Sequence, residues 1–246
     1  MSIPKIIHYC WFGGGAISAE SQKCMESWKK YCPDYKIIEW NDQNFDISQN
    51  RYTQQAYEAK KYAFVSDYVR LAVLYEYGGI YLDTDVELVR PLDELLELPG
   101  FMGFQTNNEV ATGLGFGARK GNSVVQALLR DYDALDFLKA DGSADLTPCP
   151  ERNTRVLQAL GVRKDGTRQS IAEMEIFPAE YFCPMDFYSR ELRVTPKTYS
   201  IHRYAESWKP KPSAVSRILQ RLLKKHYYTW YCPLRGRIEG RLRKRT

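Results

Sequence analysis

Asp83 and Asp85 close an apolar run, Ile80-Tyr81-Leu82-Asp83-Thr84-Asp85-Val86, that follows Gly78-Gly79. In an extended strand, residues i and i+2 share a face. The spacing therefore predicts two carboxylates converging where a buried strand emerges. Anions held so close repel each other unless a cation lies between them. Hard oxygen ligands point to Mg²⁺ or Mn²⁺, and a cation held by two carboxylates keeps positions open for water and phosphate oxygens. That donor set suits work on a diphosphate. Asp67 and Arg70 stand three residues apart in Ala63-Phe64-Val65-Ser66-Asp67-Tyr68-Val69-Arg70. The spacing suits a local helical ion pair. The apolar flanks allow a second reading, because buried charges need partners and a polar ligand is one. His202 is one of three histidines. Its bland reading is a satisfied structural residue, and its chemical reading is a neutral third ligand for the carboxylate pair.

Strands and helices must alternate to present these groups. Ile3 to Trp11 reads as a buried strand that ends in the turn Gly13-Gly14-Gly15. Ser18 can cap a helix to about Tyr31, which Pro33-Asp34 stops. Lys36 to Trp40 reads as a second strand, followed by a polar loop. A helix over about Ala63 to Tyr77 ends at Gly78, and the strand leading to Asp83 follows. Gly113 to Ala118 reads as a strand whose glycines permit close backbone approach. Helices over Asn122 to Leu138 and Asn153 to Leu160, and short strands near Ile171 to Phe177 and Thr198 to Arg203, complete the pattern. Alternation of this kind predicts an α/β sandwich with a mainly parallel sheet. Ligands bind such sheets beyond the carboxyl ends of the strands, where Asp83 and Asp85 fall.

Length and charge bound the rest. The chain has 246 residues, 44% of them hydrophobic, and carries a net charge of +5. The charge is unevenly spread: residues 213–246 hold about +9 and the remainder about −4. We read residues 1–212 as one domain and 213–246 as a basic tail. Val215, Ile218, Leu219, Leu222 and Leu223 make an apolar helical stripe flanked by Arg217, Arg221, Lys224 and Lys225. The tail reads as a helix on an anionic membrane surface, and its alternative is a helix packed on the domain. The acidic remainder offers no basic groove, which argues against a nucleic-acid partner. The six cysteines form no C-x-x-C pair, so zinc is not indicated. No signal peptide is expected from the opening Met1-Ser2-Ile3-Pro4-Lys5, which runs straight into the first strand, and no apolar stretch reaches membrane-spanning length. A reducing cytoplasm, with peripheral attachment to the membrane's inner face, is the expected setting. Neither a G-x-G-x-x-G nor a G-x-x-x-x-G-K-[ST] fingerprint is present.

Together these pieces resemble glycosyltransferase family 32. The matching residues are Ile6-Ile7-His8-Tyr9-Cys10-Trp11-Phe12-Gly13-Gly14, Ser27-Trp28, Tyr35, Ala63 to Arg70, and Leu74 to Asp85. Gly113 to Ala118 and His202 to Trp208 match more loosely. The resemblance implies a GT-A fold, a Rossmann-like sandwich, with a nucleotide-sugar donor (UDP favoured), Mn²⁺ or Mg²⁺, and retention of anomeric configuration. It implies Trp11 on the nucleotide base, with His8 in the substrate-binding set. Asp67 is implied on sugar hydroxyls and Arg70 beside the donor sugar or its phosphate. Asp83 is implied on ribose, sugar or metal, Asp85 and His202 on the metal, and Ser207-Trp208 over the diphosphate. Asp67, Arg70, Asp83 and Asp85 form the expected catalytic set. Retention requires a carboxylate nucleophile behind the sugar or same-face attack, and Glu109 is a candidate for the first. The acceptor expected is a glycan or a lipid-linked sugar of surface polysaccharide synthesis. A DxD phosphatase and a nucleic-acid binder using the tail are the alternatives.

Overall fold

A computed structural model describes residues 2–187 and 189–205. By chain contacts the protein divides into residues 1–185 with 193–208, and residues 186–192 with 209–246. In the second unit the described stretch is a tight turn, in which the Arg190 amide donates to the Asp186 carbonyl at 2.9 Å. The amphipathic tail expected over 213–246 lies outside the described residues.

The first unit alternates as expected. Strand β1 (Ile6–Cys10) leads to α1 (Ala19–Tyr31), whose N-cap is Ser18, and then to β2 (Lys36–Trp40). Helices α2 (Arg51–Glu58) and α3 (Tyr62–Tyr77) follow, then β3 (Gly79–Tyr81) and β4 (Val86–Leu88). Next come β5 (Gly100–Phe104), β6 (Val110–Ala111) and β7 (Phe116–Ala118). Then come α4 (Ser123–Asp133), α5 (Cys149–Ala159), β8 (Gln169–Ile171) and β9 (Met174–Phe177). The series ends with α6 (Ala179–Phe182) and β10 (Ser200–His202).

The main sheet has the order β2-β1-β3-β7-β5-β9-β8, with β6 on β5. β1 pairs in parallel with β2 and β3, and β5 with β9, while β7 runs antiparallel between β3 and β5. Five strands along that path thus point one way, which is the mainly parallel α/β sandwich expected of a GT-A-type fold. The sheet separates two apolar layers. Ile7, Tyr9, Ile80 and Leu82 pack with Trp28 of α1 on one side. Cys10 and Tyr81 pack with Tyr68, Leu71 and Leu74 of α3 and with residues of α2 and α4 on the other.

Gly78 and Gly79 join α3 to the central strand at φ values of 67° and 108°. A β-carbon on Gly79 would lie 2.8 Å from the Ile6 carbonyl oxygen. Only glycine tolerates both the backbone angle and the approach of β1. The pair therefore places β3 directly beside β1.

Candidate active site

The strand stops sooner than alternation suggests. β3 ends at Tyr81, and Asp83 and Asp85 occupy a turn in which the Val86 amide donates to the Asp83 carbonyl at 3.0 Å. The two carboxylates do converge, but a turn brings them together and strand pleating does not. A second, two-stranded sheet supplies the third member. β10 pairs antiparallel with β4, setting His202 opposite Val86. Asp83, Asp85 and His202 each offer a ligand atom within 4.8 Å of the others.

Asp85 is held firmly. Its Oδ2 accepts from the Ala205 amide at 2.8 Å, and its Oδ1 lies 3.3 Å from His202 Nε2. Burial alone would raise the Asp85 pKa, but the neighbouring imidazole and the amide bond outweigh it and bring the value down to about 2. His202 feels the opposite balance: burial disfavours its charge, while Asp85 and then Asp83 favour it, and its pKa ends above the ordinary value. Its Nδ1 is buried without a hydrogen-bond partner.

Asp83 joins this corner to a buried network. Its Oδ1 accepts from Tyr81 Oη at 2.9 Å and from Arg70 Nη2 at 3.1 Å. The same nitrogen lies 3.2 Å from Asp67 Oδ1. Arg70 also donates from Nε to the Ser66 carbonyl at 3.2 Å and stacks over the Tyr81 ring at 4.9 Å. Its Nη1 approaches Thr112 Oγ1 at 3.5 Å and Cys149 Sγ at 3.7 Å. Asn153 Nδ2 donates to both of those acceptors, at 3.1 and 3.2 Å. Arg70 is therefore a buried clamp behind the carboxylates. Asp67 is buried, which pushes its pKa up against the pull of Arg70, to about 6.

The other expected residues fall as follows. Trp11 lies just past β1, on the same carboxyl edge as Asp83, and its Nε1 donates to the Gly15 carbonyl. His8 departs from expectation. It is fully buried, its Nε2 faces the Gly78 carbonyl at 2.9 Å and its Nδ1 accepts from Trp40 Nε1 at 3.0 Å. Both ring nitrogens are engaged within the protein, so the side chain serves the packing of the sheet. Glu109 is gripped by Lys164 at 3.1 Å, Asn107 at 3.0 Å and Gln105 at 3.2 Å. Ser207 and Trp208 lie outside the described residues. Tyr81, Thr112, Cys149 and Asn153 were not singled out from sequence. Tyr81 carried a signal, since it precedes Asp83 by two, whereas the other three reach the site only through tertiary folding.

The residues present suit a divalent cation. Two carboxylates and an imidazole give the borderline-hard donor set that Mn²⁺ and Mg²⁺ accept, and the bare α-carbon of Gly113 leaves room for the Asp83 carboxylate.

Residues 18–101 match a family profile described as a glycosyltransferase sugar-binding region containing the DXD motif. The chain is 30% identical over 147 residues to inositol phosphoceramide mannosyltransferase 3 of Schizosaccharomyces pombe, a match over 55% of this chain and 39% of that protein. It is 28% identical over 148 residues to human alpha-1,4-N-acetylglucosaminyltransferase, covering 60% and 38% respectively. The alignments thus span about two-fifths of these relatives' length. Among solved structures, PaToxG glycosyltransferase superposes with a TM-score of 0.49 at 20% identity, over 64% of this chain and 70% of that one. Asp67, Arg70, Asp83 and Asp85 all lie inside the matched segment, so the residues of this site fall within the part of the chain that is similar to the DXD-containing region of glycosyltransferases.

Proposed function

We propose that the protein is a metal-dependent, retaining hexosyltransferase that moves a sugar from a nucleotide diphosphate to a glycan or lipid-linked acceptor in surface polysaccharide synthesis. The observation that carries this reading is the meeting of Asp83, Asp85 and His202 beside the Arg70 clamp. Asp83, Asp85 and His202 would hold the cation, Mn²⁺ or Mg²⁺. When bound, it supplies Lewis-acid stabilisation of the departing diphosphate.

The chain's own residues do the remaining work. Arg70 fixes Asp67 and Asp83 and offsets their charge. Asp67, ionised above pH 6 and close to Asp83 through Arg70, accepts hydrogen bonds from sugar hydroxyls. Trp11 offers its ring to the base. Breaking the anomeric bond leaves positive charge on the sugar, which nearby oxygens stabilise. Glu109 is committed to Lys164 and two amides, which favours same-face attack over a carboxylate nucleophile. The names of the relatives make mannose and N-acetylglucosamine the first sugars to test, with UDP and GDP donors tested side by side. The phosphatase alternative has no support in the family match, and the nucleic-acid reading rests on the tail alone.

The test is a panel of UDP- and GDP-sugars scored for Mn²⁺-dependent donor hydrolysis. One donor should be turned over, and Asp85→Asn should lower that rate roughly a hundredfold or more. No hydrolysis of any donor, or an unimpaired Asp85→Asn, overturns the reading. The tail is proposed as the contact with an anionic membrane. Full-length protein should co-sediment with phosphatidylserine vesicles, and protein cut after Pro212 should not. Equal sedimentation removes the tail from that role.

A further inference from the structure

Several glycines of the sheet answer to the core or the backbone. A β-carbon on Gly117 would lie 2.3 Å from the Phe101 ring, and one on Gly103 would lie 2.8 Å from Phe182. Gly113 is different. A β-carbon there would lie 2.0 Å from Asp83 Oδ2 and 2.9 Å from its Cγ, with Arg70 Nη1 next at 3.5 Å. Those nearest atoms all belong to the ends of two site side chains. Gly113 is also absent from the residues of positive φ, so alanine meets no left-handed backbone there. The surrounding backbone is already tied to the site. The Gly113 carbonyl accepts from the Asp83 amide at 3.2 Å, and the preceding Thr112 meets Arg70.

We propose that Gly113 is the positioning residue for Asp83: its missing side chain is the space in which the second carboxylate oxygen lies, while Arg70 and Tyr81 hold the first. The geometry stands by itself, and its consequence for metal and donor rests on the function proposed above. An added methyl must drive the carboxylate from its place, because Asp83 is the more movable partner. The fold loses no more than it loses when Asp83 itself is removed.

The test compares wild type, Gly113→Ala, Asp83→Ala and the double variant. The readout is the rise in melting temperature given by Mn²⁺ with UDP, and in parallel by Mn²⁺ with GDP. Wild type should show a rise with one nucleotide. Gly113→Ala should bind the pair roughly ten- to hundredfold more weakly and lose most of it. The double variant should match Asp83→Ala in both stability and response, because no carboxylate remains to displace. A wild-type response in Gly113→Ala, or a double variant worse than Asp83→Ala, overturns the proposal. If wild type responds to neither nucleotide, the donor-metal reading falls. The crystal structure of Gly113→Ala then decides the positioning role: loss of the 3.1 Å contact between Asp83 and Arg70 supports it, and retention overturns it.

Discussion

One nitrogen of Arg70 serves two carboxylates, at 3.1 Å to Asp83 and 3.2 Å to Asp67. The rest of the guanidinium meets the Ser66 carbonyl, Thr112, Cys149 and the Tyr81 ring. Lysine carries the same charge on a compact head, with neither the planar face nor the fixed fork. Arg70→Lys should therefore leave at least one carboxylate uncompensated. We expect donor hydrolysis to fall tenfold or more and the fold to lose about 1–3 kcal/mol. Steady-state rates and urea denaturation check the two effects. Retention of full activity would mean that charge alone suffices. The sequence showed Asp67 and Arg70 because a charged pair at i and i+3 stands out among apolar neighbours. It could not show Thr112 or Cys149, which reach Arg70 across 42 and 79 residues. Neither residue type marks itself as functional when read alone.

At the level of elements, α1 holds the corner of Asp83, Asp85 and His202 in place. Trp28 is fully buried and donates from Nε1 to the Val86 carbonyl at 2.7 Å, and Ser27 Oγ accepts from the Leu88 amide at 2.8 Å. Those bonds grip both ends of β4, the strand on which His202 is registered. Trp28→Phe keeps most of the apolar packing and leaves the Val86 carbonyl without its donor. It should cost about 1–3 kcal/mol in thermal denaturation and raise the KM for donor with little change in kcat. A loss confined to stability would show that β4 keeps its place without α1. Much of this framework was legible. Ser18 caps α1, and β2 spans Lys36–Trp40, as their local signals indicate. Helix α2 was missed because it is short and polar, burying only Tyr52, Thr53 and Ala56. Helix α5 starts at Cys149 rather than near Asn153, and Pro150 in its first turn was the overlooked start signal. The apolar run outlasts the strand after α3: Leu82 still donates to the His8 carbonyl of β1, but Val86 belongs to a different sheet.

Across the whole molecule, His8 ties three parts together. It sits in β1, accepts from Trp40 at the end of β2 and faces the Gly78 carbonyl that closes α3. An indole N–H can only donate, so Nδ1 must keep its lone pair and the folded ring must be neutral. Burial enforces the same state, lowering the His8 pKa to about 4 from an ordinary 6.5. The unfolded chain therefore takes up a proton that the folded chain refuses as pH falls through that window. Stability from this residue is complete above pH 6.5 and declines towards pH 4, by up to about 3 kcal/mol. His8→Asn removes the titration, though it lowers stability at every pH by disturbing the packing. Chemical denaturation of both proteins from pH 7 to pH 4 separates the two effects, since the other titrating groups largely cancel in the difference. The gap between wild type and variant should be widest at pH 7 and shrink steadily through the acid range. Two parallel profiles would mean that the buried imidazole accepts its proton without loss of the fold, and the assignment of His8 as a neutral tie between strands would be wrong.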